Sequence, residues 1–312
     1  MSTSTGSEIE RNKALFYHWF GEVWNKGNYA VAHEVISPRM RVHGAGGQPV
    51  EQGPDGVVGL VKTWRAAFPD GQMSIDGLVA EGDLVTALLT WRGTHRGEFY
   101  GIPPSGKTVA CTSIGIDRIQ NGIIVDGWGE LDMVGMMQQM GAMPLVGPGA
   151  IAQGRSPEWG QASSIPPDPT PSPTANKALL QRLLDASNTG DQAVFTQVID
   201  TARYVEHNPV WGATDYGSSL RVVGALFAAM PDLRYSYSAD LTTAEGDKVV
   251  SHAVATGTHT GAPLFGVPAS GKKITWTQSD IGRIANGQVV ERWFCADSLA
   301  LLQQIGALPT PG

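Results

Sequence analysis

Apolar residues recur at helical spacing over residues 8 to 26, at Ile9, Ala14, Leu15, Trp19, Phe20 and Val23, and predict an amphipathic helix. Lys26-Gly27-Asn28 closes it, and a short helix through Val35 follows. Met40 to His43 reads as a short strand. A third helix is predicted over 54 to 67 and stops at Phe68-Pro69-Asp70, because the residue before a proline is driven out of helical backbone. Segments at about 72 to 80, 83 to 95, 107 to 119 and 123 to 131 are rich in Val, Ile, Thr and Trp and read as strands. Asn121-Gly122 is a two-residue hairpin signal between the last two. A final helix carries Leu131, Val134, Met137 and Met140. Helices first and an antiparallel sheet after define an α+β layout, with the helices covering one face of the sheet.

The same pattern is written twice. NKAL at Asn12 returns at Asn176, AAFPD ending at Asp70 returns as AAMPD ending at Asp232, and AEGD at Ala80 returns at Ala244. His43 falls opposite His207, GTHRG around His95 opposite GTHTG around His259, and the hairpin dipeptide opposite Asn286-Gly287. The offset stays near 164 residues, so the chain reads as a tandem duplication. A Pro-, Gly- and Ser-rich stretch at 144 to 174 reads as a stiff extended linker between domains at 1–143 and 175–312.

Charge and composition narrow the class. The net charge of −7 argues against a nucleic-acid or anionic-membrane partner. No apolar run of membrane-spanning length and no basic-then-apolar leader is present, so a cytoplasmic protein is expected. The two cysteines, Cys111 and Cys295, and the scattered His, Asp and Glu fit no ligand spacing, so no metal is expected. GIPPSGKT at 101 to 108 matches the phosphate-loop pattern letter for letter. It lies between two strands, however, and Pro103 and Pro104 lack the N–H groups a phosphate cradle requires. The second copy has Lys273 where a metal-binding hydroxyl belongs, so the loop reads as a connection.

The order of FPD, EGD, a GTHxG strand, a G(I/V)PxSGK loop, an RIxNGxIVxxW hairpin, an Asp and a short helix ending in QxxGA resembles the SnoaL-like polyketide cyclases, within the nuclear transport factor two-like superfamily. The resemblance implies two cone-shaped α+β barrels, each a curved antiparallel sheet wrapped on its N-terminal helices around an apolar pocket. It also implies chemistry without a cofactor. A carboxylate or imidazole moves a proton, and a second group stabilises the developing oxyanion. Family dimers imply that the two domains pack as a pseudo-dimer, with further homo-dimerisation open.

Strand parity orders the candidates. If Asn121-Gly122 is a two-residue turn, paired positions sum to 243, so Trp128 faces Gly115 and Asp126 faces Asp117. In the second copy pairs sum to 573, so Trp293 faces Asp280, Glu291 faces Gly282, and Asp297 lies near Trp276. Glu291, Trp293, Cys295 and Asp297 are then expected on one face of the sheet. An Asp in a Trp-lined pocket suits acid–base work, which singles out Asp280; the alternative is that it faces solvent on the outer side of the sheet, as most strand aspartates do. Asp132 and Asp297, each ahead of the last helix, are either pocket carboxylates or helix N-caps. The family's catalytic carboxylate falls within a few positions of these, so Asp126 and Glu291 stand beside them. His43 and His207 read as cone-wall groups, a base or donor or else core histidines. His95 and His259 sit near the rim. Trp91, Trp128, Trp276 and Trp293 are expected to line pockets.

The resemblance, taken with these candidates, implies a cofactor-independent cyclase or isomerase acting on an apolar, polyketide-like molecule, for example by aldol-type ring closure. Asp297 or Asp280 would be the acid/base, assisted by His207 and His259, with Asp132, His43 and His95 in the first copy. An epoxide hydrolase or epoxide-opening cyclase would need two carboxylates or a carboxylate–Arg–carboxylate relay, and the sequence displays no clear relay. A non-catalytic small-molecule binder is the third reading.

Overall fold

The computed structural model describes residues 6–44, 50–143, 165–166, 168, 170–208 and 211–308. The described chain falls into two compact units, one around each sheet. Most of the linker expected at 144 to 174 lies outside the described residues. Among the described residues no helix is long and apolar enough to cross a membrane.

The first unit opens with α1 (Gly6–Trp19), which runs into a π-helical turn at Phe20–Asn25 and then α2 (Ala30–Val35). Strands β1 (Ile36–His43) and β2 (Val50–Glu51) precede α3 (Gly53–Ala67). The main strands are β3 (Gln72–Glu81), β4 (Leu84–Thr94), β5 (Thr108–Gln120) and β6 (Ile123–Leu131), closed by α4 (Met133–Met140). Their order is β2-β1-β6-β5-β4-β3. The sheet is mixed and not wholly antiparallel, because β1 runs parallel to β6. The chain can return this way because α2 leads into β1 long before β6 is made, so no tight turn has to join the two.

The second unit repeats the plan with α5 (Pro173–Thr189), α6 (Gln192–Val198), β7 (Val205–His207) and α7 (Tyr216–Ala229). Strands β8 (Arg234–Tyr237), β9 (Thr243–Glu245), β10 (Lys248–Thr258), β11 (Lys273–Ala285) and β12 (Gln288–Ala296) lead to α8 (Ser298–Ile305). The order is β7-β12-β11-β10-β8, with β9 also on β10 and β7 parallel to β12.

Local chemistry recurs in both copies. Asn121 and Gly122 both take positive φ (54° and 76°), as do Asn286 and Gly287 (53° and 70°), which makes the tight hairpins the dipeptides announce. The loop at 101 to 107 joins β4 to β5, so no helix follows the phosphate-like motif. Asp70 accepts from Thr94 N and Oγ1, both at 2.7 Å, and Asp232 accepts from Thr258 at 2.6 and 2.7 Å. Asn25 pairs with both backbone groups of Met73 (2.9 and 2.7 Å), and Asn188 does the same with Tyr235 (2.9 and 2.8 Å). Asn12 to Asn25 spans thirteen positions and Asn176 to Asn188 twelve. The π-helical turn of the first unit absorbs the extra residue and leaves the asparagine on the same clamp.

Asn188→Ala strands the Tyr235 N–H and carbonyl together, so it should lower the unfolding free energy by about 1–3 kcal/mol. Urea denaturation of the full chain checks this.

Candidate functional site

One residue in each last strand decides what faces the cavity. Near the turn, β11 and β12 pair as expected, with Ile284 opposite Val289. Beyond it Val290 is an extra residue, a β-bulge, and Arg283 meets Glu291. All later pairs shift by one, so Asp280 lies opposite Phe294 and Ile281 opposite Trp293. The first unit does the same around Val125, placing Gly115 opposite Gly129, Ile116 opposite Trp128 and Arg118 opposite Asp126. Side chains alternate, so this single step exchanges the faces. The expectation that Glu291, Trp293 and Cys295 share Asp280's face is overturned, as is the pairing of Asp126 with Asp117 and of Trp128 with Gly115.

The side that faces α5 and α7 in the second unit therefore carries Gln278, Asp280, Arg292 and Phe294. They line a cavity of about 100 Å³ with Tyr204, Glu206, Tyr235 and Tyr237. Leu183 and Leu184 of α5 and Leu220 and Val223 of α7 supply apolar wall. Arg292 joins two buried carboxylates, with Nε 3.1 Å from Asp280 Oδ1 and Nη1 3.8 Å from Glu206 Oε1. Ser251 Oγ donates to Asp280 Oδ2 at 2.7 Å. Tyr204 OH and Asn208 Nδ2 donate to Glu206 at 3.0 and 2.9 Å. The guanidinium also sits 4.8 Å from the Phe294 ring centroid. Burial works against the Arg292 charge, but Asp280 and Glu206 outweigh it and hold the guanidinium well above its ordinary value. Burial pushes Tyr235 up to about 12, and burial together with Asp280 raises Tyr237. Both phenols stay protonated near neutrality and remain hydrogen-bond donors.

Arg292, Glu206, Tyr204 and Asn208 were not among the sequence candidates. The bulge hides Arg292, since simple alternation from the turn puts it on the wrong face. Glu206 stands one residue from His207, and β7 pairs Glu206 with Arg292 only because it is parallel to β12.

The remaining candidates have other places. His207 Nε2 lies 2.9 Å from Glu291 Oε1 and stacks on Trp293 (centroids 5.3 Å, 17°), on the sheet face away from the cavity. Glu291 also accepts from Arg283 Nε at 2.9 Å. In the first unit His43 meets Asp126 at 2.9 Å and stacks on Trp128 (4.3 Å, 14°). Burial alone would raise the Asp126 carboxyl, but Arg41 and His43 outweigh it and hold it below the usual range. His95 and His259 are buried and tie down the following loop, with Nδ1 at 3.1 Å from Ser105 Oγ and 3.3 Å from Ser270 Oγ. Asp297 caps α8, accepting from Ala300 N at 3.0 Å, and burial raises its carboxyl. Asp132 is buried directly before α4. Trp276 is buried edge-on to Tyr235, with ring centroids 6.4 Å apart.

The first unit lacks the relay. Matched through their strand pairs, Asp280, Arg292, Phe294 and Ser251 correspond to Gly115, Gly127, Gly129 and Ala87. Glu206 and Tyr204 correspond to Val42 and Met40. A Cβ on Gly127 would lie 2.8 Å from the Met40 methyl, so an arginine cannot start there without Met40 moving. Trp24, Trp64 and Trp91 pack edge to face (centroids 5.5 to 6.2 Å), Trp24 standing where the second unit has Ser187. Asp117 leans over Gly127 and is a partly buried carboxyl that desolvation pushes up to about 7.

A model of the SnoaL-like polyketide cyclase family matches residues 14–140 and again 177–305, and the chain belongs to that family, twice over. It is 30% identical over 143 residues to aklanonic acid methyl ester cyclase DauD of Streptomyces sp. (strain C5), covering 43% of this chain and 83% of that one. The corresponding cyclase DnrD of Streptomyces peucetius is 30% identical over 141 residues, covering 43% and 92%. Among solved structures, TsrD from Streptomyces laurentii is 28% identical with a TM-score of 0.39, covering 43% of this chain and 97% of that one. A SnoaL-like polyketide cyclase from Agrobacterium tumefaciens is 17% identical with a TM-score of 0.37, covering 41% and 97%.

Asp117 gives a pH test. Its carboxyl titrates near 7 when folded against about 3.8 when unfolded, so the folded state holds the proton more tightly. Its contribution to stability should be greatest below about pH 4 and be lost as pH rises toward 7. Asp117→Asn should flatten that decline, measured by denaturation across the pH range.

Proposed function

We propose that the chain is a cofactor-independent cyclase acting on a polyketide-like small molecule, with its chemistry in the second domain. The observation that carries this is the buried Asp280–Arg292–Glu206 relay on the wall of a largely apolar cavity. Asp280 is the proton acceptor. Its carboxylate takes a proton from the carbon beside a carbonyl, and the enolate carbon attacks a second carbonyl of the same molecule. A carbon–carbon bond forms, the attacked carbonyl becomes an alkoxide, and the proton returns to it from Asp280. Arg292, fixed by both carboxylates, and the protonated Tyr235 and Tyr237 stabilise the charge on oxygen as it develops. Glu206, bound by Tyr204 and Asn208, holds Arg292 in place.

The test uses aklanonic acid methyl ester, the compound in the names of the two relatives, as probe. Ring closure gives an isomer of the same mass. Asp280→Asn should lower kcat/KM by about a hundred- to ten-thousandfold, the usual worth of a positioned base. Asp297→Asn preserves the cap and should leave the rate unchanged. Full activity in Asp280→Asn overturns the assignment.

The carboxylate–Arg–carboxylate arrangement also favours a second reading, epoxide opening, in which Asp280 or Glu206 activates an oxygen nucleophile. An epoxide substrate attacked by water gains one water in mass, whereas intramolecular closure does not. Mass spectrometry of products therefore separates the two.

A further inference from the structure

Outside the relay cavity lies a second hollow of about 170 Å³, lined by Trp211, Arg221, Val222, Leu226, Leu264 and Phe265 among others. Trp211, Val222 and Leu226 also line the relay cavity, so the two hollows share a wall. Trp211 and Phe265 stack there with centroids 5.1 Å apart and planes within 3°. Both residues are held through their backbones. Trp211 N donates to Asn208 Oδ1 at 2.9 Å, and the Nδ2 of the same amide donates to Glu206, so the Trp211 backbone is tied to the relay through one side chain. Phe265 sits in the bridge between Leu264 and Val267 with φ 51°, a backbone that bulky residues adopt only under strain. The first unit puts Tyr100 at the matching position with φ 49°. Both copies thus keep an aromatic ring where glycine or asparagine would fit without strain. Arg221, on the exposed side of α7, supplies positive charge at the rim. Asp215 lies within electrostatic reach of it, but that carboxylate is bound by Ser218 N and Oγ at the start of α7.

We infer that this hollow is an outer subsite for the unreactive end of the substrate, and that it selects a flat aromatic ring bearing an acidic group. The ring lies against the Trp211–Phe265 wall and its carboxylate or phenolate faces Arg221, while the reacting end extends past Val222 and Leu226 to Asp280. The inference rests on the second-domain cavity being the substrate site. Its test measures binding, which needs no turnover, and so fails separately from the cyclase assay.

Naphthoate and the neutral naphthalenemethanol are the probes, titrated calorimetrically into the full chain. Naphthoate should bind two- to fivefold tighter, the worth of an exposed charge pair. Arg221→Gln should abolish that preference and leave the alcohol's affinity unchanged. Phe265→Ala and Trp211→Ala should weaken both probes about three- to tenfold, and Phe265→Tyr should restore them. Equal affinity of the two probes for wild type, or unchanged affinity in both Phe265→Ala and Trp211→Ala, overturns the subsite.

Discussion

A single inserted residue in each closing strand sets which side chains of this protein face inward. Val290 and Val125 each open a β-bulge next to the hairpin turn, and every side chain beyond them changes face. In the second domain this turns Arg292 and Phe294 inward to meet Asp280 and sends Glu291 and Trp293 to the opposite side. The parallel strand β7 then brings Glu206 to Arg292 and His207 to Trp293. Cavity and outer face are two readings of one register. Glu291 is still as buried as the inward-facing groups, but its partners are Arg283 and His207.

The duplication supplies an internal comparison. Both copies keep the Asn25/Asn188 clamps, the Asp–Thr locks, the buried loop histidines and the His–carboxylate pairs stacked on tryptophan. Both also pin the final helix with a glutamine, since Gln139 pairs with Ala110 at 2.8 Å on each side and Gln304 pairs with Thr275 at 2.9 and 2.7 Å. These groups close backbone valences and fix loops, which any copy of the fold requires. The difference is concentrated on the cavity face. There the second domain carries charge and hydroxyls, and the first carries glycine, alanine, valine, methionine and a cluster of indoles.

Much of the architecture was legible in the sequence, because its signals are local. Asn-Gly marks a hairpin by backbone preference alone, and the helical spacing of Ile9 to Val23 announces α1 directly. The parallel strand β1 was legible as a strand but not in its direction, since nothing in Met40 to His43 names its partner. Asp280 is singled out in the sequence through a pairing with Trp293 that the bulge removes, and the rings beside it are Phe294, Tyr235 and Tyr237. Its true partners were not legible, because counting pairs from the turn assumes an unbroken ladder and a bulge leaves no residue type that announces it. Four of the groups now around Asp280 and Glu206 were missed for that reason or because they enter from β7. Asp297 remained open between cap and pocket, and Ala300 N accounts for one of its oxygens.

The energetics of the relay explain why the two domains differ at so many positions together. A buried ion pair is a poor source of stability, but losing one member leaves its partner charged, buried and uncompensated, at a cost of about 3–5 kcal/mol. Asp280, Arg292 and Glu206 form one such unit, and Ser251, Tyr204 and Asn208 satisfy its remaining acceptors. A cavity with half of this set is less stable than one with all of it or none. The first domain has none: glycine, glycine and valine replace the three charges, and alanine and methionine replace Ser251 and Tyr204. Among the described residues its one inward carboxyl is Asp117, which has Val85 and Gly127 across from it and meets the burial cost by taking up a proton near pH 7. Two copies of one fold have thus reached the two self-consistent solutions open to that face, a fully paired charge network and a nearly apolar one.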